Sequence, residues 1–250
     1  MSGPSEACKE TGRSINEIYK EFRDEPLGSA SIGQAHYGVL KDGAKVVTKV
    51  QQPLIADMMR KDFALLKKLA KLISTITASK DGGGEIINLM SVIGEFEKVT
   101  KEELDFRIEA ENTRFFREHC IEDETKVSCP RVIDDLTTER IFTMTYVDGF
   151  SIAKKDRLIK QGCDPEAIGR ALLKNYIHQV LDVGAFHADP HQGNIMISNG
   201  VPYWIDFGMI GRIGEGDVNT IQSLVIAMLE GDLDSMVNAV MSIPGPTETN

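Results

Sequence analysis

The strongest local signal in the sequence is His187-Ala188-Asp189-Pro190-His191-Gln192-Gly193-Asn194, which is followed after a short interval by Trp204-Ile205-Asp206-Phe207-Gly208. Three of its side chains, those of Asp189, Asn194 and Asp206, carry the carboxylate or amide oxygens that Mg²⁺ prefers as ligands. The two β-rich segments between them flank Asn199-Gly200, which is a strong signal for a hairpin. We therefore expect a hairpin that brings Asp206 back beside Asn194.

Phosphoryl transfer accounts for this choice of side chains. The reaction needs a carboxylate near the acceptor hydroxyl and oxygen ligands that hold Mg²⁺ against the β- and γ-phosphates. Protein kinases use an Asp, an Asn later in the same loop and a second Asp in D-F-G. Asp189, Asn194 and Asp206 occur in this order and at this spacing. The stretch therefore predicts a kinase-type site, in which Asp189 orients the acceptor and the other two residues bind the metal.

Two alternatives remain open for the same residues. His187 and His191 are spaced so that one helix face could present both to Zn²⁺. Pro190 between them argues against a regular helix, and the sequence has no nearby Glu in the general-base position of H-E-x-x-H. The other alternative is a polar loop whose spacing is fortuitous.

Lys49 lies in a β-branched segment, Val46-Val47-Thr48-Lys49-Val50, that follows the turn signal Asp42-Gly43. Its side chain points away from those of its neighbours along a strand, and it can face phosphates as a point charge if a glutamate holds it. Taken in isolation, it would be an exposed surface lysine. Its position upstream of the Asp/Asn/Asp set, at the distance expected of a small lobe, favours the phosphate-facing alternative.

An acid-rich segment, 102–112, is expected to supply that glutamate. Such acids usually form a solvated helix face, but the helical spacing of Asp105 and Glu109 places some carboxylates beside the buried side. One of them is the natural partner for Lys49. A run of small residues before the first strand, Gly28, Ser29, Ala30 and Ser31, would let backbone N–H groups approach phosphates closely. By itself this run is also compatible with any tight turn.

The distribution of the signals predicts an α+β fold. Strands dominate one region of the first half and helices most of the second, so we expect a small mixed lobe over 1–149 and a mainly helical lobe over 150–250, joined near 146–150. Helices are predicted over 14–22, 55–73, 86–119 with an interruption near Thr100, 164–183, 221–229 and 233–240. Strands are predicted over 32–40, 46–50, 131–133, 140–145, 195–198 and 203–205. Asp164 and Pro165 have the residue types of a helix N-cap and first turn.

Composition narrows the functional classes. The net charge of −10 argues against a general nucleic-acid binder. The basic run Arg60, Lys61, Lys67, Lys68 and Lys71 has the spacing of a solvated helix face. The scattered cysteines fit a reducing compartment. Because the sequence shows neither an apolar span of ~18 residues nor a signal peptide, we expect a cytoplasmic protein.

Four blocks together resemble the UbiB family of atypical kinases, the AarF-type proteins linked to ubiquinone metabolism. They are residues 26–34, 47–51, 103–110, and 187–194 with 205–208. The combination is specific, because kinases at large share the Lys/Asp/Asn/Asp set but not the small-residue loop or the E-x-D helix. The resemblance implies a bilobal protein-kinase-like fold, with ATP and Mg²⁺ as cofactors.

The family's roles carry over by motif position. Lys49 resembles the phosphate-binding lysine and Glu109 its helix partner. Asp189 resembles the catalytic-loop aspartate, and Asn194 and Asp206 resemble the metal ligands.

Three further elements are implied in the same way. Glu103 and Asp105 resemble the E-x-D pair, which is thought to lie over the site and restrict protein substrates. The loop Gly28, Ser29, Ala30 and Ser31 resembles the alanine-rich nucleotide loop. Met144, Tyr146 and Val147 resemble the hinge whose backbone would meet adenine.

Some features depart from the family pattern. The K-x-G-Q segment that normally precedes the small lobe is not found, and neither is the C-terminal region that contains membrane-spanning helices in many members. Gly28 stands where alanine is common, Thr145 where the hinge often has glutamate, and Gln192 where proline is frequent. None of these differences removes a metal ligand, but the missing K-x-G-Q segment puts autoinhibition in doubt.

The resulting expectation is an ATP-dependent phosphotransferase or ATPase that acts on a small-molecule or lipid-linked acceptor, with peripheral membrane contact in the full-length protein. A nucleotide-binding regulatory module without useful turnover is one alternative. A small-molecule kinase of the aminoglycoside or choline type is another, since it shares a similar H-x-D-x-x-x-x-N loop. The E-x-D helix and the Val47-Thr48-Lys49-Val50-Gln51 block speak against the latter.

Overall fold

The hairpin predicted around Asp42-Gly43 is present in the computed structural model, which describes residues 10, 12–29, 32–77, 83–121 and 126–242. Strand β3 (Gly33–Leu40) runs antiparallel to β4 (Lys45–Gln51). Gly43 has a φ of 92°, a left-handed conformation that glycine adopts without steric cost. The turn chemistry therefore fixes the register in which Ala35 lies opposite Lys49.

This hairpin forms part of an antiparallel sheet of five strands. The other strands are β1 (Tyr19–Phe22), β2 (Gly28–Ser29) and β5 (Ile141–Thr145), and the order is β1-β3-β4-β5 with β2 also paired to β3. The helix predicted over 14–22 is wrong beyond Ile18: helix α1 (Ile15–Ile18) ends there, and the next residues form β1. Tertiary pairing overrides the helical pattern, because strand pairing buries the Tyr19 ring and lets its hydroxyl bond Thr48 at 2.8 Å.

Alternate residues of β4 pack on opposite faces of the sheet, as the period of a strand requires. Val46 lies in a cluster with Ile18, Tyr19 and Leu136 on one face. Val47 lies in a cluster on the other face, which includes Phe106, Ala110, Phe142 and Met144. Lys49 and Gln51 share the second face by the same alternation, so they face the helix that carries Phe106.

Three long helices follow β4 along the chain: α2 (Ile55–Thr77), α3 (Gly83–Glu103) and α4 (Phe106–His119). The helix predicted over 86–119 is interrupted as expected, although the break lies at Leu104 and Asp105 rather than at Thr100. Much of the basic run on α2 is exposed as predicted, but Lys67 is half-buried and bonded to Glu97 of α3. In the part of the chain that the structure describes, no helix has both the length and the apolar character to cross a membrane.

Later in the chain, two small antiparallel sheets are combined with helices. The elements are β6 (Phe150–Ser151), α5 (Lys155–Lys160), α6 (Pro165–His178), a π-helical turn (Gln179–Val183), β7 (Ala185–His187), a 3₁₀ turn (Gln192–Asn194), β8 (Ile195–Ser198), β9 (Val201–Trp204), β10 (Ile210–Arg212), α7 (Glu215–Glu230) and α8 (Leu233–Ser242). The predicted cap of α6 is confirmed, because the Asp164 carboxylate accepts the Glu166 N–H at 2.9 Å. The hairpin at Asn199-Gly200 joins β8 to β9 as predicted.

The chain divides into two compact units. One contains Met1–Glu111 and Arg131–Tyr146, and the other contains Asn112–Pro130 and Val147–Asn250. The lobes predicted over 1–149 and 150–250 differ from these units mainly in residues 112–130. The strand predicted over 131–133 is wrong, because only an isolated bridge joins Val132 to Met144 before a 3₁₀ turn (Asp134–Leu136) begins. The mixed α+β character of the fold is confirmed.

Candidate functional site

The loop after β7 is closed by hydrogen bonds between its own residues. The Asn194 side-chain amide donates to the backbone carbonyl of Asp189 at 3.1 Å and to its carboxylate Oδ2 at 3.2 Å. The His191 N–H also donates to the Asp189 carbonyl, at 2.9 Å. Asn194 is buried, whereas Asp189 is exposed. The loop therefore presents one carboxylate to solvent from a fixed backbone.

His191 adds a contact to this carboxylate that the sequence did not suggest. Its ring Nδ1 accepts the Gly193 N–H at 2.9 Å, so the proton of the neutral ring lies on Nε2, which is 3.4 Å from Asp189 Oδ2. A Cβ at residue 193 would lie 2.5 Å from the His191 ring, so this arrangement requires glycine. The only signal in the sequence is the His-x-Gly spacing, which has no meaning until the loop conformation is known.

His187 joins this loop to the segment that carries Asp206. The ring is fully buried, its Nδ1 accepts the Asp189 N–H at 3.2 Å, and its Nε2 donates to the Ile205 carbonyl at 3.2 Å. Burial lowers the pKa of His187 below its usual value, which favours the neutral ring. Because both ring nitrogens are engaged and the residue ends a strand, the structure rejects the zinc alternative for His187 and His191.

Asp206 lies two residues after β9, at the end of the hairpin where Asn194 precedes β8. The Ile205 N–H donates to the Asn194 carbonyl at 2.9 Å, which joins the two chain segments. Asp206 has a φ of 64°, a left-handed conformation that is uncommon outside glycine and typical of functional sites. The next residue, Phe207, anchors this segment in the core, because it is buried and its ring centroid lies 4.7 Å from that of Phe116.

The oxygen atoms of Asn194 and Asp206 suit a magnesium ion. Mg²⁺ is usually bound by one or two protein carboxylates together with water and substrate phosphates. Because the Asn194 amide nitrogen donates to Asp189, its amide oxygen is the atom that could reach a cation. Among the described residues, no group of three or more His, Cys, Asp or Glu side chains could hold a metal by itself. The donor set thus fits a metal that brings phosphate ligands, and the assigned roles stay predictions.

In the other unit, Lys49 and Glu109 form an ion pair. Lys49 Nζ lies 2.6 Å from Glu109 Oε1, and the two side chains are 17% and 8% exposed. The pair connects β4 with the first turn of α4, so the predicted pairing of Lys49 with an acid of that helix is present. Low exposure strengthens the attraction between the charges. Whether Lys49 contacts phosphates is not tested by this geometry.

Glu103 and Asp105 lie where α3 ends and α4 begins. Asp105 caps α4, because its Oδ1 accepts the Arg107 N–H at 3.1 Å. The Arg107 guanidinium donates to both carboxylate oxygens, at 2.8 and 2.7 Å, and lowers the pKa of Asp105. The sequence signal for this structural role was an Asp before an apolar-periodic segment. The regulatory role suggested by resemblance stays a prediction for both residues.

Of the two segments predicted to contact the nucleotide, the small-residue loop is only partly described. Gly28 and Ser29 form β2, which is exposed and pairs with β3, while Ala30 and Ser31 lie outside the described residues.

The predicted hinge begins in the sheet and ends at the unit boundary. Met144 is buried in β5, and the Tyr146 N–H donates to the Lys45 carbonyl at 3.0 Å. Val147 begins the second segment of the other unit. The roles predicted for these positions are not tested.

Comparisons with known proteins place these features in a family. Residues 6–240 match the ABC1 atypical kinase-like domain. An uncharacterized protein in the hydrogenase 1 5′ region of Clostridium pasteurianum is 36% identical, over 94% of this chain and 43% of that protein. The chloroplastic protein ACTIVITY OF BC1 COMPLEX KINASE 8 of Arabidopsis thaliana is 32% identical, over 94% of this chain and 31% of its own length. The probable protein kinase UbiB of Marinobacter nauticus is 28% identical, over 90% and 41%.

A solved structure supports the fold. Rv3197 of Mycobacterium tuberculosis, determined in complex with erythromycin, has a TM-score of 0.68 and 22% identity, covering 95% of this chain and 58% of that chain. This chain spans less than half the length of the curated relatives named above. Because the domain match extends over nearly the whole chain, the resemblance to UbiB-type proteins is confirmed, and the chain belongs to the family of ABC1 atypical kinase-like domains.

Proposed function

We propose that this chain binds Mg·ATP and transfers or hydrolyses the γ-phosphate. The observation that carries the proposal is the hydrogen bonding of Asn194. Its side-chain amide donates to Asp189, and its backbone carbonyl accepts the N–H of Ile205, the residue before Asp206. These hydrogen bonds hold Asp189, proposed to orient the acceptor, close to Asn194 and to the residue before Asp206. Asn194 and Asp206 are the two proposed metal ligands. Membership of the atypical kinase-like family supports the same chemistry.

Each residue has a defined task in the proposed reaction. Asp189 accepts a hydrogen bond from the acceptor hydroxyl or water and aims it at the phosphorus atom. Asn194 and Asp206 would hold Mg²⁺, which supplies charge neutralisation at the phosphate oxygens. Lys49, kept in place by Glu109, would contribute a positive charge toward the same nucleotide.

The nucleotide itself would be held largely by backbone groups. We assign its phosphates to the loop Gly28, Ser29, Ala30 and Ser31, and its adenine to the backbone of Met144, Tyr146 and Val147. These assignments rest on motif position. The proposal requires residues of both compact units to act on one nucleotide, and mutants in each unit test that requirement separately.

The acceptor is proposed from resemblance. A small-molecule or lipid-linked acceptor, connected with isoprenoid-quinone or lipid metabolism, fits the relationship to UbiB better than a protein acceptor does. Glu103 and Asp105 would restrict access of protein substrates. Contact with a membrane surface would then be peripheral.

Phosphate release from Mg·ATP by the purified chain tests the proposal. Asp206→Asn should reduce turnover at least ~100-fold. The Mg²⁺ ion that neutralises the charge developing on the phosphate oxygens would lose its anionic protein ligand. The folded state should persist, since Asn tolerates the left-handed backbone at this position. Asp156→Asn, which alters an exposed Asp of the same unit, is the matched control. Equal turnover in wild type and Asp206→Asn would reject the assignment.

The same assay separates the alternatives. Turnover should be measured with and without anionic vesicles and a quinone-precursor mimic, to reveal a lipid-linked acceptor. Nucleotide binding without turnover under all these conditions would support the regulatory module instead. Phosphorylation of soluble amino-alcohols would support a kinase of the aminoglycoside or choline type.

A further inference from the structure

Gln51, the last residue of β4, makes a buried contact that the proposed reaction has not used. Its side chain is 6% exposed, and its Nε2 donates to the backbone carbonyl of Leu104 at 2.8 Å. Leu104 directly follows the last residue of α3, where carbonyl groups lack partners within the helix. Gln51 thus satisfies a helix-terminal acceptor inside the Glu103-Leu104-Asp105 segment.

Gln51 and Lys49 act on the same helix pair from the same face of one strand. They are two positions apart on β4, which places both side chains on the face that packs against α4. Lys49 bonds Glu109, and Gln51 bonds the carbonyl just before α4 begins. One strand therefore contacts both the first turn of α4 and the segment that immediately precedes it.

Between these points, Phe106 fixes the first turn of α4. Its N–H donates to the Glu139 carbonyl at 2.9 Å. Its ring packs so closely on β3 that a Cβ at Gly33 would lie 3.3 Å from Cζ. Opposite Gly33 in the sheet register stands Gln51. The start of α4 is therefore attached to the sheet by side-chain, backbone and packing contacts close to Gln51.

These attachments set the direction in which Glu109 points. Residues three or four positions apart lie on one face of a helix, so Glu109 follows the orientation of the first turn. An ion pair alone does not fix the rotation of a helix about its axis, since long charged side chains adapt. The bond from Gln51 removes that freedom at the helix start.

We propose that Gln51 is a positioning residue, which keeps Glu109 aligned with Lys49 and so keeps the Lys49 ammonium in place for a phosphate. The second half of this statement rests on the proposed function. The first half concerns the helix alone and can be tested without nucleotide.

Hydrogen exchange tests the first half. In Gln51→Met, which has a similar length but no donor, amides of residues 104–110 should exchange about 10-fold faster, as expected when a local attachment is lost. Exchange of the amides in the five-stranded sheet should be unchanged. Gln52→Leu, which changes the exposed neighbouring glutamine, is the control and should match wild type. Unchanged exchange at 104–110 in a folded Gln51→Met would overturn the proposal. If that variant does not fold, Gln51→Ala replaces it, since its short side chain removes the donor without burying a charge.

A double-mutant cycle tests the link to the ion pair. The Kd for Mg·ATP is measured with a fluorescent ATP analogue in wild type, Gln51→Met, Glu109→Gln and the double variant. Gln51→Met should weaken binding about 10-fold alone but less than about 2-fold when Glu109 is already replaced, because coupled residues are not additive. Equal effects in both backgrounds would show that Gln51 does not act through Glu109. If the wild-type chain does not bind Mg·ATP, the proposed function fails, and the exchange experiment alone decides the role of Gln51.

Discussion

The two compact units hold their candidate site residues in different ways. In one unit, Lys49 and Glu109 are mostly buried and neutralise each other across a strand and a helix. In the other, Asp189 and Asp206 are exposed at the ends of strands, while the groups that orient them are buried. His187 is the main such group, since it contacts both the loop of Asp189 and the residue before Asp206.

This difference predicts how function and stability are coupled. A buried charge that loses its partner is left unsolvated, which destabilises the folded state strongly. An exposed carboxylate is hydrated with or without its partners, so its loss changes chemistry more than folding. Substitutions in the first unit should therefore affect both properties, and substitutions of the exposed carboxylates only one.

The largest expected effect on stability comes from Lys49→Met. It removes the ammonium group that pairs with the largely buried Glu109 carboxylate, so we expect a loss of about 3 kcal/mol in the free energy of unfolding, measured by urea denaturation. Lys49→Met combined with Glu109→Gln should recover part of this loss. Asp189→Asn should change it by less than about 0.5 kcal/mol while it lowers turnover. Equal stability losses in Lys49→Met and Asp189→Asn would break the contrast between the units.

A smaller effect is expected at Asp105, which caps α4 and for which the family resemblance predicts a regulatory role. Asp105→Ala removes the acceptor for the Arg107 N–H and should cost about 1 kcal/mol in unfolding free energy. Asp105→Asn keeps a capping oxygen and should cost only a few tenths of that amount. If substrate selection changes in Asp105→Asn while stability is kept, the E-x-D role is separable from the cap. An alanine variant as stable as wild type would contradict the capping role.

Local signals predicted the parts of the fold that depend on neighbouring residues. Asp42-Gly43 and Asn199-Gly200 correctly indicated two hairpins, and Asp164 and Pro165 a helix start, because turn and cap chemistry acts over a few positions. The segment from Tyr19 was misassigned, since its helical pattern is overridden by pairing with a strand that follows later. Burial of Tyr19 against Thr48 is a long-range effect that the pattern does not contain.

The candidate site shows the same limit. Motif spacing singled out Lys49, Asp189, Asn194 and Asp206. Helical spacing predicted an acid of segment 102–112 as the partner of Lys49, and the family resemblance indicated Glu109. Neither indicated the contact between Gln51 and the Leu104 carbonyl, because it joins a side chain to a backbone group at a helix break. Such bonds depend on where the break lies, and the sequence placed it near Thr100.

The smallest expected effect concerns the pH dependence contributed by His187. The pKa of His187 is lowered in the folded protein. When the pH falls below the unfolded-state pKa of about 6.5, the unfolded chain therefore binds a proton at this residue more readily than the folded protein does. The stability it provides is complete above that pH and is lost as the pH falls toward the folded pKa. Between pH 7.5 and 6.0 this loss is at most about 0.8 kcal/mol in unfolding free energy. His187→Gln should flatten the pH profile by up to that amount, because the replacement side chain does not titrate in this pH range. Identical profiles for wild type and His187→Gln would mean that the buried imidazole does not couple folding to protonation.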